Sequence, residues 1–139
     1  MKTRLHIIVF LFFFTNCLAD NSYFDLGKSL FEKKEFENAK FKFEQDIVFN
    51  PKSESSYLYL AKIFKEEKND NLEENNLNTV LLLNPNNEEA IYLLTLLSIK
   101  KSNFSKAKKL IKTLDTVCKK MCSSKTELQS KLDSSLKSE

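Results

Sequence analysis

From Tyr23 onward the apolar positions of the chain return on a fixed interval of 34: Leu26, Leu60, Leu94 and Leu128 keep it, as do Tyr23, Tyr57 and Ile91. Phe36 with Phe104 and Ala39 with Ala107 stand at twice that spacing. Asn50-Pro51 and Asn84-Pro85 share the register, each closing an apolar helical pattern, as proline does just past a helix because it offers no N–H and cannot continue the turn. A 34-residue period of this kind predicts stacked helical hairpins, none of which can bury its apolar face alone. Ser124-Lys125-Thr126-Glu127 reads as a capping box. Leu128, Leu132 and Leu136 then form one stripe, the pattern of a helix that closes a stack and shows polar residues to water. The expected architecture is all-α with seven helices: hairpins over 20–53, 54–87 and 88–121, and a capping helix in 122–139.

The second unit breaks the pattern. Asp70 stands where the first unit has Phe36, and Glu73 where it has Ala39. A carboxylate between packed helices is costly without a partner. The expectation is therefore a helix that starts late, near Leu72, or a local shift that turns Glu73 outward, after a loose polar tip through Lys68-Asn69-Asp70-Asn71.

The beginning of the chain follows other rules. Lys2 and Arg4 precede a stretch, Leu5 to Phe14, that is apolar apart from His6. This is the layout of a cleaved secretory signal, and the stretch is shorter than the roughly 20 residues that span a bilayer. Two processing sites compete. Cleavage after Asn16 would leave Cys17 as a lipidated first residue (signal 1–16), and cleavage after Ala19 would give a secreted protein (signal 1–19). With lipid on Cys17, a helix starting near Ser22 lies within roughly 15 Å of the membrane at full chain extension.

Removing the signal removes the only arginine, Arg4, and the only histidine, His6; no tryptophan exists, and Gly27 is the single glycine. Imidazole acid–base catalysis, glycine-rich phosphate loops and guanidinium forks are then out of reach, so neither an enzyme nor a cofactor or small-molecule site is expected. The mature part keeps 20 lysines against 19 acids, too balanced for general nucleic-acid affinity. Cys118 and Cys122 flank the turn before the last helix. In an oxidising compartment they can pair if the helix breaks near Lys120, or remain separate half-buried thiols. With no histidine beside them they are too few for a metal site.

Tyr23, Leu26-Gly27, Leu30, Phe36, Ala39, Phe43 and Pro51 together resemble the tetratricopeptide repeat (TPR) pattern of large and small positions. The third unit carries it through Ile91, Leu94, Phe104, Ala107, Ile111 and Leu114, with Thr95 at a usually small place. The resemblance implies an α-solenoid of three TPR hairpins, the second degenerate, whose first helices line a concave groove. Phe24, Lys28, Leu58, Lys62, Tyr92 and Leu96 are the groove residues it implies, and the implied ligand is a polypeptide. It does not extend to the clamp by which some family members hold two carboxylates, since the corresponding places hold Phe24, Lys28, Tyr59, Glu89 and Leu93. A small TPR protein with a lipidation signal is also similar to the BamD-like lipoproteins that assist insertion of β-barrel proteins into the bacterial outer membrane. That likeness implies a non-enzymatic envelope scaffold, anchored in the outer membrane, facing the periplasm and contacting the barrel-inserting subunit. A periplasmic adaptor for cell-wall or division proteins is the alternative, and a hydrolase of envelope polymers a remote one.

Overall fold

The computed structural model describes residues 22–137; the signal segment and Cys17 lie outside the described residues. Seven α-helices follow one another: α1 (Tyr23–Glu32), α2 (Phe36–Phe49), α3 (Glu54–Glu66), α4 (Asp70–Leu83), α5 (Glu88–Lys100), α6 (Phe104–Val117) and α7 (Ser124–Lys137). No strand occurs among the described residues. The first six pair as hairpins, α4 packs on α5 and α2 on α3 to stack them, and α7 lies against both α5 and α6. The expected all-α repeat architecture is therefore the observed one.

The three hairpins turn in the same way. Each tip places one non-glycine residue in the left-handed region: Lys34 (φ 62°), Lys68 (φ 57°) and Ser102 (φ 54°). The N–H of the following residue then returns to the end of the first helix, Glu35 to the Leu30 carbonyl (3.0 Å), Asn69 to Phe64 (2.8 Å) and Asn103 to Ser98 (2.8 Å). Such closures satisfy carbonyls that a helix end leaves without intrahelical donors. The second tip is thus neither loose nor late, against the expectation from its polar sequence. Asn69 caps α4 by accepting from the Leu72 N–H (3.2 Å), and α4 starts at Asp70, in register with Phe36 and Phe104.

The leucine ladder shows what the stacking does. Leu60, Leu94 and Leu128 are buried against the preceding hairpin, whereas Leu26, with no described hairpin before it, is 37% exposed. Around Leu60 the core is aromatic, with Phe43 fully buried among Ala39, Ile63 and Phe64, and Phe24, Phe31, Phe36 and Tyr59 closing over it. Gly27 permits this: a Cβ there would sit 2.7 Å from Cε1 and 2.9 Å from Cδ1 of the Phe43 ring. The Ser56 hydroxyl donates to Asp46 (2.5 Å), a buried bond tying α3 to α2. Around Leu94 the core is aliphatic, with Leu58, Leu77, Leu93 and Leu97. Leu128 and Leu132 of α7 seal the last hairpin against Ile91, Ala107, Ile111 and Leu114.

Two details of the C-terminal end differ from the sequence reading. Ser124 is the first residue of α7, and Glu127 does not close a capping box; its carboxylate accepts from the Tyr92 hydroxyl on α5 (3.1 and 3.3 Å). Leu136 is 40% exposed, so the stripe seals the stack over two of its three leucines. Cys118 and Cys122 are joined as a disulfide across a Cα–Cα distance of 5.2 Å, in the irregular segment after α6 ends at Val117. The same segment is held by Glu88 at the start of α5, whose carboxylate accepts from the N–H groups of Met121 (2.6 Å), Lys119 (2.9 Å) and Lys120 (3.0 Å). Those donors, Met121 first, hold the Glu88 carboxyl below the usual carboxylate range.

Candidate protein-binding face

The first helices of the hairpins and α7 present the half-exposed side chains that could meet a ligand. On α3, Lys62 lies 4.7 Å from the Tyr59 ring centroid and pairs with Glu89 of α5 (2.7 Å). On α5, Tyr92 reaches Glu127 of α7, and burial, then the Glu127 carboxylate, hold its phenol above the ordinary tyrosine value, so it stays a donor. Lys62, Glu89, Tyr92 and Glu127 thus bridge α3 to α5 and α5 to α7, and they mark one continuous face.

One and two turns beyond Tyr92, Leu96 and Lys100 form a ridge with a hollow on either side. Between α5 and α7 the hollow has a volume of about 450 Å³ and is lined by Leu96, Ile99, Lys100, Ser130, Lys131 and Ser134, among others. Between α3 and α5 it measures about 220 Å³, with Lys65, Glu73, Leu96, Leu97 and Lys100 around it. The interval of 34 relates the two. Ile99, Ser130 and Ser134 follow Lys65, Leu96 and Lys100 by one repeat, so the same junction is open twice.

Glu73 is the chemically unusual member. It is 5% exposed where the other hairpins hold Ala39 and Ala107, both 0% exposed. It faces inward in regular register, contrary to the expected outward turn. Burial raises its carboxyl above the usual range; Lys65 opposes that shift, Asp70 adds to it and Lys100 opposes it. Yet it makes no hydrogen bond or ion pair with any described residue, Lys100 being engaged by Asp70 (2.6 Å). Its neighbour Glu74 is opposite in character: bonds from Lys101 (2.5 Å) and Lys106 (2.7 Å) hold its carboxyl low.

The six groove residues read from the sequence divide between face and core. Lys62, Tyr92 and Leu96 line the face described above; Lys28 is exposed on α1. Leu58 is 8% exposed and belongs to the aliphatic core, so it offers no groove surface. Phe24 is half-buried, its ring 5.9 Å from Phe43 and 5.7 Å from Tyr59. Lys65 and Lys100 were missed, and Glu73, noticed in Ala39's place, was expected to turn outward; the interval of 34 also carried the first of these, since Phe31 of the first unit becomes Lys65 in the second. The described residues contain no group of three or more His, Cys, Asp or Glu side chains placed to hold a metal ion.

This geometry has counterparts among solved structures. The TPR2B domain of yeast Sti1, solved as its complex with pHsp70, superposes with a TM-score of 0.68 at 17% identity, over 81% of this chain and 92% of that one. The C-terminal TPR-containing domain of a Plasmodium falciparum protein described as FK506-binding gives 0.67 at 18% identity, over 85% and 88%. The chain therefore has the fold of tetratricopeptide repeat domains. No protein-family model and no curated protein sequence matches it.

Proposed function

We propose that this protein is a scaffold that holds another polypeptide on the face formed by α3, α5 and α7 and catalyses no reaction of its own. The carrying observation is the face itself: aromatic, aliphatic, basic and acidic groups at half exposure, with two hollows set one repeat apart. A surface of this kind suits an extended or helical segment whose side chains enter the hollows while its backbone lies across the ridge. The absence of histidine and arginine after residue 6 leaves no customary acid–base or anion-holding machinery. The likeness to a TPR domain solved with a bound partner supports the reading at the level of fold.

The finer assignment rests on the sequence. The signal-like beginning and Cys17 support a lipid-anchored protein of the bacterial cell envelope, on the periplasmic side of the outer membrane, and the similarity to BamD-like lipoproteins supports a role beside the barrel-inserting subunit. Affinity purification of the tagged full chain from gently solubilised membranes tests this, with Leu96→Glu as the face variant. The expected result is an outer-membrane barrel-insertion protein, lost in the variant. Recovery of cell-wall or division proteins instead would replace the assembly role by an adaptor role, and equal recovery with Leu96→Glu would refute the face. Cys17→Ala is expected to release the protein from membranes; continued membrane association would refute the lipid anchor.

A further inference from the structure

The three junctions between successive units are built on equivalent positions, and only the second has a carboxylate at its floor. At the first, Phe31 packs against Phe36 (5.4 Å between ring centroids) and Tyr59 (5.1 Å), and Ala39 lies fully buried in the same aromatic cluster. At the second, Lys65 replaces Phe31, Asp70 replaces Phe36, Leu93 replaces Tyr59 and Glu73 replaces Ala39. Three rings are lost, Lys65 stays exposed, and a hollow of about 220 Å³ remains. Glu73 lines it, nineteen-twentieths buried by its 5% exposure. No buried side-chain oxygen or nitrogen among the described residues is both sealed and unpartnered, so the Glu73 oxygens, which no side chain engages, keep some accessible surface in a residue that lines the hollow.

A carboxylate drawn largely out of water without a donor is unfavourable unless a partner meets it. Neither nearby cation touches it: Lys100 is held by Asp70 (2.6 Å), and Lys65, exposed at the end of α3, favours the charged carboxylate only through space. Lys65 and Lys100 line the hollow beside Glu73, and Asp70, adjacent to it, engages Lys100, so the two carboxylates offset the two ammonium groups of the neighbourhood. Leu96 and Leu97 form the apolar wall along which an alkyl stem can lie. A ligand that fits must combine such a stem with N–H donors at its tip.

From this juxtaposition we infer that the hollow between α3 and α5 is a subsite for a lysine or arginine side chain of the bound polypeptide, its stem on Leu96 and Leu97 and its cationic head on Glu73. The inference rests on the scaffold reading for the source of that side chain. It is opposite in sign to a carboxylate-holding site, because the recognised group is basic. It also assigns Lys65 a discriminating role: its ammonium at the mouth weakens the site for an isolated cation and favours a basic residue flanked by an acidic one. Acidification should weaken binding, since protonated Glu73 no longer carries the charge. Burial and Asp70 place that loss above the ordinary glutamate range of about 4.3, while Lys65 and Lys100 restrain the upward displacement.

The test uses the full chain in a mild non-ionic detergent, with leucine methyl resonances as the readout and n-butylguanidinium as the probe. Leu96 and Leu97 methyls are expected to shift saturably with n-butylguanidinium and to respond little to n-butanol or n-butyrate. Glu73→Gln, which preserves shape, should weaken the probe about tenfold, the usual scale for losing one charge-assisted contact. Lys65→Gln, an exposed change, should tighten it severalfold. Equal response to n-butanol, no saturable response at all, or indifference to Glu73→Gln would overturn the subsite. The affinity purification separates the two readings. Loss of the partner with Leu96→Glu but not with Glu73→Gln would leave the scaffold standing and overturn the subsite. Probe binding as stated, with no polypeptide captured by the wild-type chain, would overturn the polypeptide source.

Discussion

The first and second junctions of the stack share one backbone plan and differ in what fills it. Phe24, Phe31, Phe36, Phe43 and Tyr59 enclose the first, with centroid separations of 5.1 to 5.9 Å among them. Thirty-four residues later the same five places hold Leu58, Lys65, Asp70, Leu77 and Leu93. Even the charge pair across the junction is inverted: Lys40 meets Glu67 at the first (3.0 Å), and Glu74 meets Lys101 at the second (2.5 Å). Helix positions and the left-handed tip are maintained through all of this. A repeat fold thus separates two tasks: turn geometry and small-residue contacts keep the stack in register, while the side chains at one junction are free to vary.

The contrast can be tested by substitution. The largest effect is expected at the aromatic centre, where Phe43→Ala should lower unfolding free energy in urea by about 4 kcal/mol, and its counterpart Leu77→Ala by less; a larger loss at Leu77 would invert the proposed hierarchy. Gly27→Leu forces the Phe43 ring aside and should cost about 2 kcal/mol. An unchanged melting temperature would show that α1 and α2 do not approach as described.

Rebuilding the second junction on the first should act in the other direction. Lys65→Phe with Glu73→Ala fills the hollow and removes the buried acid, for an expected gain of about 1–2 kcal/mol together with loss of partner capture. Glu73→Gln alone is the smallest change, an expected gain of about 1 kcal/mol at neutral pH. Its sign depends on pH. Because the folded protein holds the Glu73 proton more tightly than the unfolded chain, this group favours folding below the ordinary glutamate value and loses that contribution as pH rises through its folded value. Glu74 and Glu88, both lowered, contribute above the ordinary value and lose their contribution as pH falls. The advantage of the Gln variant should therefore fade toward pH 4; an advantage that is constant with pH would contradict a buried carboxyl.

Much of this was legible in the sequence. The 34-residue spacing, the two Asn-Pro stops and the leucine stripe of the last helix are local signals, and each reports one helix boundary or one buried face. Gly27 and Ala39 could be read as close-approach sites because nothing larger fits between helices. The failures came where composition argued against geometry. The polar run at 68–71 suggested a loose tip, yet Lys68 turns in the same way as Lys34, because backbone bonds to Phe64 and Lys65 close the turn whatever its side chains. Glu73 suggested an outward rotation, yet the stack holds α4 by Leu77 and Val80, both 0% exposed, and carries the acid inward with them. Leu58 was read as groove and is core, since a one-dimensional pattern does not say which flank of a helix faces its own hairpin and which faces the groove.

Whether a polypeptide is held on the face of α3, α5 and α7 can be read position by position. Site-specific photo-cross-linking in intact cells addresses it most directly, with the reactive group placed in turn at Lys62, Tyr92 and Leu96 on that face and at Val48 and Leu82, 74% and 82% exposed, on the outer side of α2 and α4. Cross-links to a discrete protein are expected from the first three positions and none from the last two. Cross-links confined to Val48 and Leu82, or none from Tyr92 and Leu96, would contradict the proposed face.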